Sequence, residues 1–273
     1  MLPVTPPSDA AWLRPMLLAI TALLLLGLFS PPIADTDFWW HLKTGEYMAQ
    51  THSLPVPDPF AWTTAKVPLA YPAEEHTRRF NLTHEWLAQL LMYLVWRVGG
   101  FAGVVAGRAI SLTLVCAVVG LVCAKRSGSF FGGLAGSLAC ASVLSTFALD
   151  RPYQITFLFL ALTLATLEFR RFLWALPALF LIWANCHGGY FLGFVVLGAY
   201  CAESLWRRRN DRTLWLVTAA CIAISAINPN GLAVFRTLLE YRASYMQGRL
   251  LEWSRHAVHR PLSFPHPRLY RSR

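Results

Sequence analysis

The chain has 273 residues, 56% of them hydrophobic and only 14% charged, with a formal net charge of +10 and a mean hydropathy of +0.44. A soluble domain carries about 25% charged residues, so this composition argues for a protein built for a bilayer. In a soluble chain the positive balance would suggest nucleic acid, but here the cations cluster between apolar runs and no P-loop, GxGxxG or nucleic-acid-binding motif accompanies them.

In chain order, the first apolar run covers residues 16–34, behind Arg14. It has the look of a signal-peptide core, but Pro31 and Pro32 make a poor cleavage site, so an uncleaved first transmembrane helix is expected. Residues 35–83 form the only long hydrophilic stretch. Within it, residues 37–50 (DFWWHLKTGEYMAQ) read as a short amphipathic helix lying at headgroup level. Residues 82–98 form an apolar run only about 15 residues long, short of the roughly 20 that a span needs. Taking residues 83–97 as interfacial or re-entrant lets one long helix, residues 100–124, cross inward. Further spans are expected over residues 130–149, 153–169, 172–184, 190–206 and 214–227.

The result is an all-α polytopic membrane protein. It has about seven transmembrane helices, a cytoplasmic N-terminus and a long first external loop (residues 35–99) bearing interfacial helices. This assignment puts Lys125-Arg126, Arg170-Arg171 and Arg207-Arg208-Arg209 with Arg212 on the cytoplasmic side, as cationic short loops require. Asp35, Asp37, His41, His84, Glu85, Asp150, Arg151, Asn185, His187 and Asn228 then collect on the other side. Past Asn228-Pro229-Asn230-Gly231 a helix is expected to about residue 247, closing a membrane module of residues 1–248. The tail, residues 249–273, has six arginines and three prolines against one acid, Glu252, and is expected to be disordered. The six cysteines lie in or beside apolar runs without a CxxC pair, so they read as small buried hydrophobes rather than a disulfide framework or zinc site.

The stretch ADTDFWWHLKTGEYMAQTHSLPVPDPFAWTT, followed by HEWLAQLLMYLVWRVGG, resembles bacterial membrane proteins of the GT-C glycosyltransferase superfamily. The likeness is to the branch related to protein mannosyltransferases and aminoarabinose transferases, and it is looser at DRPYQITF, WANCHGGYFLG and INPNG. It covers about residues 14–253 and lacks that superfamily's usual C-terminal portion, so a C-terminally truncated relative is expected. The resemblance implies transfer of a sugar from a polyprenyl-phosphate-linked donor to an acceptor on the external face of a bacterial inner membrane. Membrane lipids would be the other partner.

Each candidate residue has a functional and a plainer reading. Asp35 and Asp37 form D-x-D; one carboxylate can take the acceptor's proton, and the pair can hold a divalent cation against a donor phosphate, the one possible cofactor. By likeness to the superfamily's first-loop acid, Asp37 is the first catalytic candidate and Asp35 the second. The plainer reading makes Asp37 a helix N-cap. His41, four residues on, can share that site or merely join an aromatic belt. His84 and Glu85 can bind acceptor or simply start a helix. Arg151 can hold a lipid phosphate or pair with neighbouring Asp150. Asn185 and His187, before two glycines, can meet phosphate or sugar hydroxyls or mark a tight turn. Beside the enzyme stand two other classes: a non-catalytic lipid-binding scaffold, and a small-solute transporter. A transporter needs ionisable groups at mid-membrane, where the expected spans place almost none but Arg108.

Overall fold

The computed structural model describes residues 12–61 and 74–235, so the helix expected to reach residue 247 and the basic tail fall mostly or wholly outside the described residues. Two compact units divide the chain, Met1–Gly231 and Leu232–Arg273; of the second, only residues 232–235 are described, and they open a helical turn. Among the described residues the protein is all-helical, without a strand.

The first unit contains α1 (Leu13–Leu28), α2 (Asp37–Thr51), α3 (Glu74–Thr83), α4 (Trp86–Ser127), α5 (Phe130–Leu144), α6 (Tyr153–Phe169), α7 (Leu176–Cys186), α8 (Tyr190–Trp206) and α9 (Arg212–Ile224). Helix α1 stops earlier than its apolar run, because Pro31 and Pro32 cannot continue the hydrogen-bond ladder. Helix α2 matches the expected amphipathic segment to within a residue. Helix α3 was not expected. Its sequence, EEHTRRFNLT, has no apolar periodicity, although Phe80 is buried.

Helix α4 is two helices joined at Gly100, whose φ of 59° and ψ of −156° only glycine adopts readily. The break falls between the short segment and the long helix that the sequence separates, and it folds the chain back on itself. A side chain at Gly103 would lie 3.2 Å from the Val95 carbonyl, eight residues earlier. Tyr93 and Val104 share one apolar cluster with Phe38 and Leu42 of α2. The second arm, from Phe101 to Ser127, rises about 40 Å. It packs on α1, α5 and α6 through Leu25, Phe29, Leu112, Val115, Ala141 and Ala161.

Among the described residues, two segments are long and apolar enough to cross a membrane: Glu75–Ser127, which contains the long arm of α4, and Phe130–Phe147. The apolar helices α1, α6, α7, α8 and α9 run 10–17 residues, under the full thickness of a hydrocarbon core. Membrane association therefore rests on two candidate spans, and the count of seven goes further than these lengths carry.

One charge sits deep in this packing. Arg108 donates from Nε to the Phe29 carbonyl at 3.1 Å, from Nη2 to the Pro31 carbonyl and from Nη1 to Asp150, and both side chains of the ion pair are only 2% exposed. Removing one member leaves the other buried and uncompensated, which costs about 3–5 kcal/mol. R108M should therefore sharply lower the unfolding midpoint in detergent, and R108M/D150L should recover much of the loss. Equal midpoints for the single and double variants would show that the pair does not couple.

Candidate functional site

The ends of α1, α4, α6 and α7 and the start of α2 meet around two clusters of charged side chains. The first centres on Arg151, in the loop before α6. Its Nε and Nη2 both donate to Asp35, the latter at 2.9 Å, and its Nη1 lies 3.0 Å from Asp37. Both acids of the D-x-D thus grip one guanidinium. Asp35 also accepts the Asp37 backbone amide at 3.1 Å. The N-cap role imagined for Asp37 therefore does not arise: Asp37 is the first helical residue, and Asp35 tends its amide. Burial pushes the Asp35 carboxyl up, but the Arg151 hydrogen bonds, the Asp37 amide and the guanidinium charge together hold it below the usual carboxylate range. Its side chain is 3% exposed, whereas that of Asp37 is 53% exposed. Asp150 does not pair with its neighbour Arg151; it turns the other way, to Arg108.

The second cluster centres on Glu85. It occupies the cap position of α4, yet its side chain bonds no backbone amide there. Helix-start chemistry does not explain it. Its carboxylate faces three imidazoles instead: His84 Nε2 at 3.4 Å, His187 Nε2 at 3.6 Å and His41 Nδ1 at 3.8 Å.

Hydrogen-bond chemistry assigns the protons. His84 Nδ1 lies 3.0 Å from the Phe80 carbonyl, which can only accept, so that nitrogen carries a proton. Its Nε2 faces the Glu85 carboxylate at 3.4 Å, which favours the doubly protonated, charged ring. Burial opposes this charge, but the Glu85 hydrogen bond and charge, with the Phe80 carbonyl, push His84 above its ordinary value. His187 is the reverse case. Its Nδ1 accepts the Gly189 amide at 2.9 Å and lies 2.8 Å from the Thr156 hydroxyl, which itself accepts Trp183 Nε1–H at 3.0 Å. The single proton of His187 is therefore on Nε2, aimed at Glu85. Burial lowers this histidine to about 4, and the Glu85 charge offsets only part of that shift. Burial also lowers His41, whose Nδ1 lies 3.2 Å from Gln89 Nε2. For Glu85, burial is outweighed by the His84 hydrogen bond and charge, and the carboxyl sits below its usual range. His41 links the clusters, since its ring feels Glu85, Asp37, Arg151 and Asp35 together.

Asn185 holds the scaffold. Its Oδ1 accepts Trp86 Nε1–H at 2.8 Å, and its Nδ2 donates to the carbonyls of Leu181 and Ile227 at 2.9 and 2.8 Å. Asn228 forms a turn, accepting the Asn230 amide at 2.7 Å. Gly45 marks the tightest docking of α2: a Cβ there would collide with the Gln89 backbone of α4.

Three residues here escape a reading of the sequence. Gln89 follows Glu85 by four positions on one helical face, so its place was available from spacing. Thr156 and Trp183 lie on different helices and carry no local signal.

Beside Arg151 a groove of about 210 Å³ opens between the two arms of α4 and the start of α6. Leu91, Val95, Val104 and Ile155 make it mostly apolar, and Arg108, Asp150, Arg151 and Gln154 line it too. Among the described residues no group of three His, Cys, Asp or Glu side chains is arranged to hold a metal ion. No protein-family model, curated protein or solved structure matches the chain.

The imidazoles should titrate far apart. An unfolded His187 takes up its proton near pH 6.5 and the folded one only near 4. It therefore lowers stability as pH falls through that window, by on the order of 3 kcal/mol. His84 acts oppositely: its stabilising contribution is complete below about pH 6.5 and disappears as pH rises through its higher folded value. In an NMR titration His84 should be the last imidazole to deprotonate and His187 the first, and E85Q should drop His84 below the ordinary histidine value. Three coincident titrations near 6.5 would contradict the proton assignment.

Proposed function

We propose that this chain is an integral membrane glycosyltransferase of the GT-C type, moving a sugar from a polyprenyl-phosphate donor to an acceptor outside a bacterial inner membrane. In this reading seven helices cross the bilayer with the N-terminus in the cytoplasm, and local thinning of the bilayer accommodates the shorter ones. Helix α2 and the first arm of α4 lie at the outer interface.

One observation carries the proposal. Arg151, whose guanidinium is held by two carboxylates, lines a mostly apolar groove. A phosphate bearing a prenyl tail presents those two chemistries side by side, and Arg binds phosphate through a planar fork of donors. The resemblance of the first loop to GT-C proteins supports the same class.

The acceptor hydroxyl attacks the anomeric carbon, the bond from that carbon to the phosphate oxygen breaks, and the acceptor's proton passes to Asp37, the open carboxylate of the pair. Arg151 neutralises the departing phosphate. Asp35 keeps the guanidinium in place and is too tightly engaged to take a proton itself. Glu85 with His41, His84 and His187 shapes the acceptor side, and Asn185 fixes Trp86 against it. A divalent cation would have to displace Arg151 from between Asp35 and Asp37, so the guanidinium takes that part here.

With purified protein and lipid-linked sugar, D37N should lose at least about 10²-fold in turnover, the usual worth of a general base, while keeping donor affinity. R151K should weaken donor binding, because a point charge does not reproduce the fork. Unchanged turnover in D37N would refute the catalytic assignment. The second reading, a lipid-binding protein without transfer, gains from the engagement of both acids by Arg151. Arg151-dependent phosphoprenol binding with no sugar transfer by the wild-type protein would establish it. A transporter is disfavoured because Arg108, the mid-helix charge, is committed to Asp150 and two carbonyls.

A further inference from the structure

At the opposite end of the helices, α4, α6, α8 and α9 enclose a cavity of about 530 Å³, within the range of small-molecule sites. Lys125, Arg126, Arg170, Arg207 and Arg209 line it, against Glu168, Glu203 and Asp211. The acids orient the cations. The Glu168 carboxylate is buried and accepts from Arg126 Nη2 and the Tyr200 hydroxyl. Asp211 caps α9 by accepting the Leu214 amide at 3.1 Å and pairs with Arg170 Nη2 at 2.5 Å. Glu203 pairs with Arg207 Nε at 2.8 Å. The guanidinium groups of Arg126, Arg170 and Arg207 are each paired with an acid through one nitrogen, while about half or more of each side chain stays open to solvent. Lys125 lies 4.7 Å over the Phe169 ring.

The chain segments that border this cavity carry large exposed rings: Phe172, Trp174, Trp206 and Trp215. Exposed tryptophans gathered at one depth are the mark of a membrane–water interface. Basic pockets between membrane helices at that depth bind anionic headgroups. We propose that this cavity binds the phosphate headgroup of an anionic membrane lipid, with its acyl chains lying along the aromatic rim. The inference rests on the membrane reading above but not on sugar transfer, so it can fail or hold independently of the catalytic assignment.

The test is native mass spectrometry of the full chain released from vesicles of equal phosphatidylglycerol and phosphatidylcholine. The wild-type protein should retain phosphatidylglycerol preferentially. R126Q/R170Q should weaken that retention about thirtyfold, the attraction of two surface cations. R126K/R170K, which keeps the charge, should preserve most of the preference and so separates lost charge from lost fold. Equal retention of the two lipids by the wild type, or an unchanged preference in R126Q/R170Q, would overturn the proposal. Displacement of the lipid by inorganic phosphate alone at equal concentration would reassign the cavity to a soluble anion and overturn it too.

Discussion

Two adjacent residues of opposite charge, Asp150 and Arg151, reach away from each other and tie the first unit together. Asp150 neutralises Arg108 within the helical core, and Arg108 in turn holds the Phe29 and Pro31 carbonyls at the end of α1. Arg151 grips Asp35 and Asp37 where that segment enters α2. An arginine among apolar helices is tolerated only when paired and fully bonded. That constraint fixes the α1–α2 connection, the middle of α4 and the loop before α6 in one arrangement. The place of the open carboxylate, Asp37, follows from it.

The two charged clusters differ in kind. Around Arg151, strong ion pairs hold permanent charges whose positions resist change. Around Glu85, the partners are imidazoles, and their proton count is decided by burial and by which carbonyl or amide each ring meets. The first arrangement suits a fixed anion, the second a group that donates or accepts hydrogen bonds. His41 couples them across α2, and the close approach at Gly45 keeps α2 against the first arm of α4.

Much of this was legible in the sequence, and the failures have physical causes. Cations at one end of the apolar runs and acids with histidines at the other anticipated both polar clusters, because ionisable groups are kept out of apolar helices and collect at their ends. The shortness of the apolar run to residue 97 and the register of the later cations separated that run from the long helix, and the break at Gly100 falls between the two. Pairing was not legible. Adjacency suggested an Asp150–Arg151 contact, yet neighbours in a loop entering a helix point to different sides, and each found a partner more than 40 positions away. Glu85 had the position of a helix-start acid, and only the placement of the distant His41 and His187 beside neighbouring His84 shows that its carboxylate is engaged elsewhere. Helix α3 has no apolar stripe, so periodicity could not announce it.

Everything functional proposed for this chain depends on the Asp37 end facing out of the cell and the Arg207 end facing in. Side-specific labelling tests that most directly, with single cysteines at exposed Trp39 and Arg207 in a chain cleared of its six native cysteines. The account predicts that a membrane-impermeant maleimide added to intact cells labels position 39, and reaches position 207 only after permeabilisation. Labelling of position 207 from outside, with position 39 protected until the membrane is opened, would contradict it.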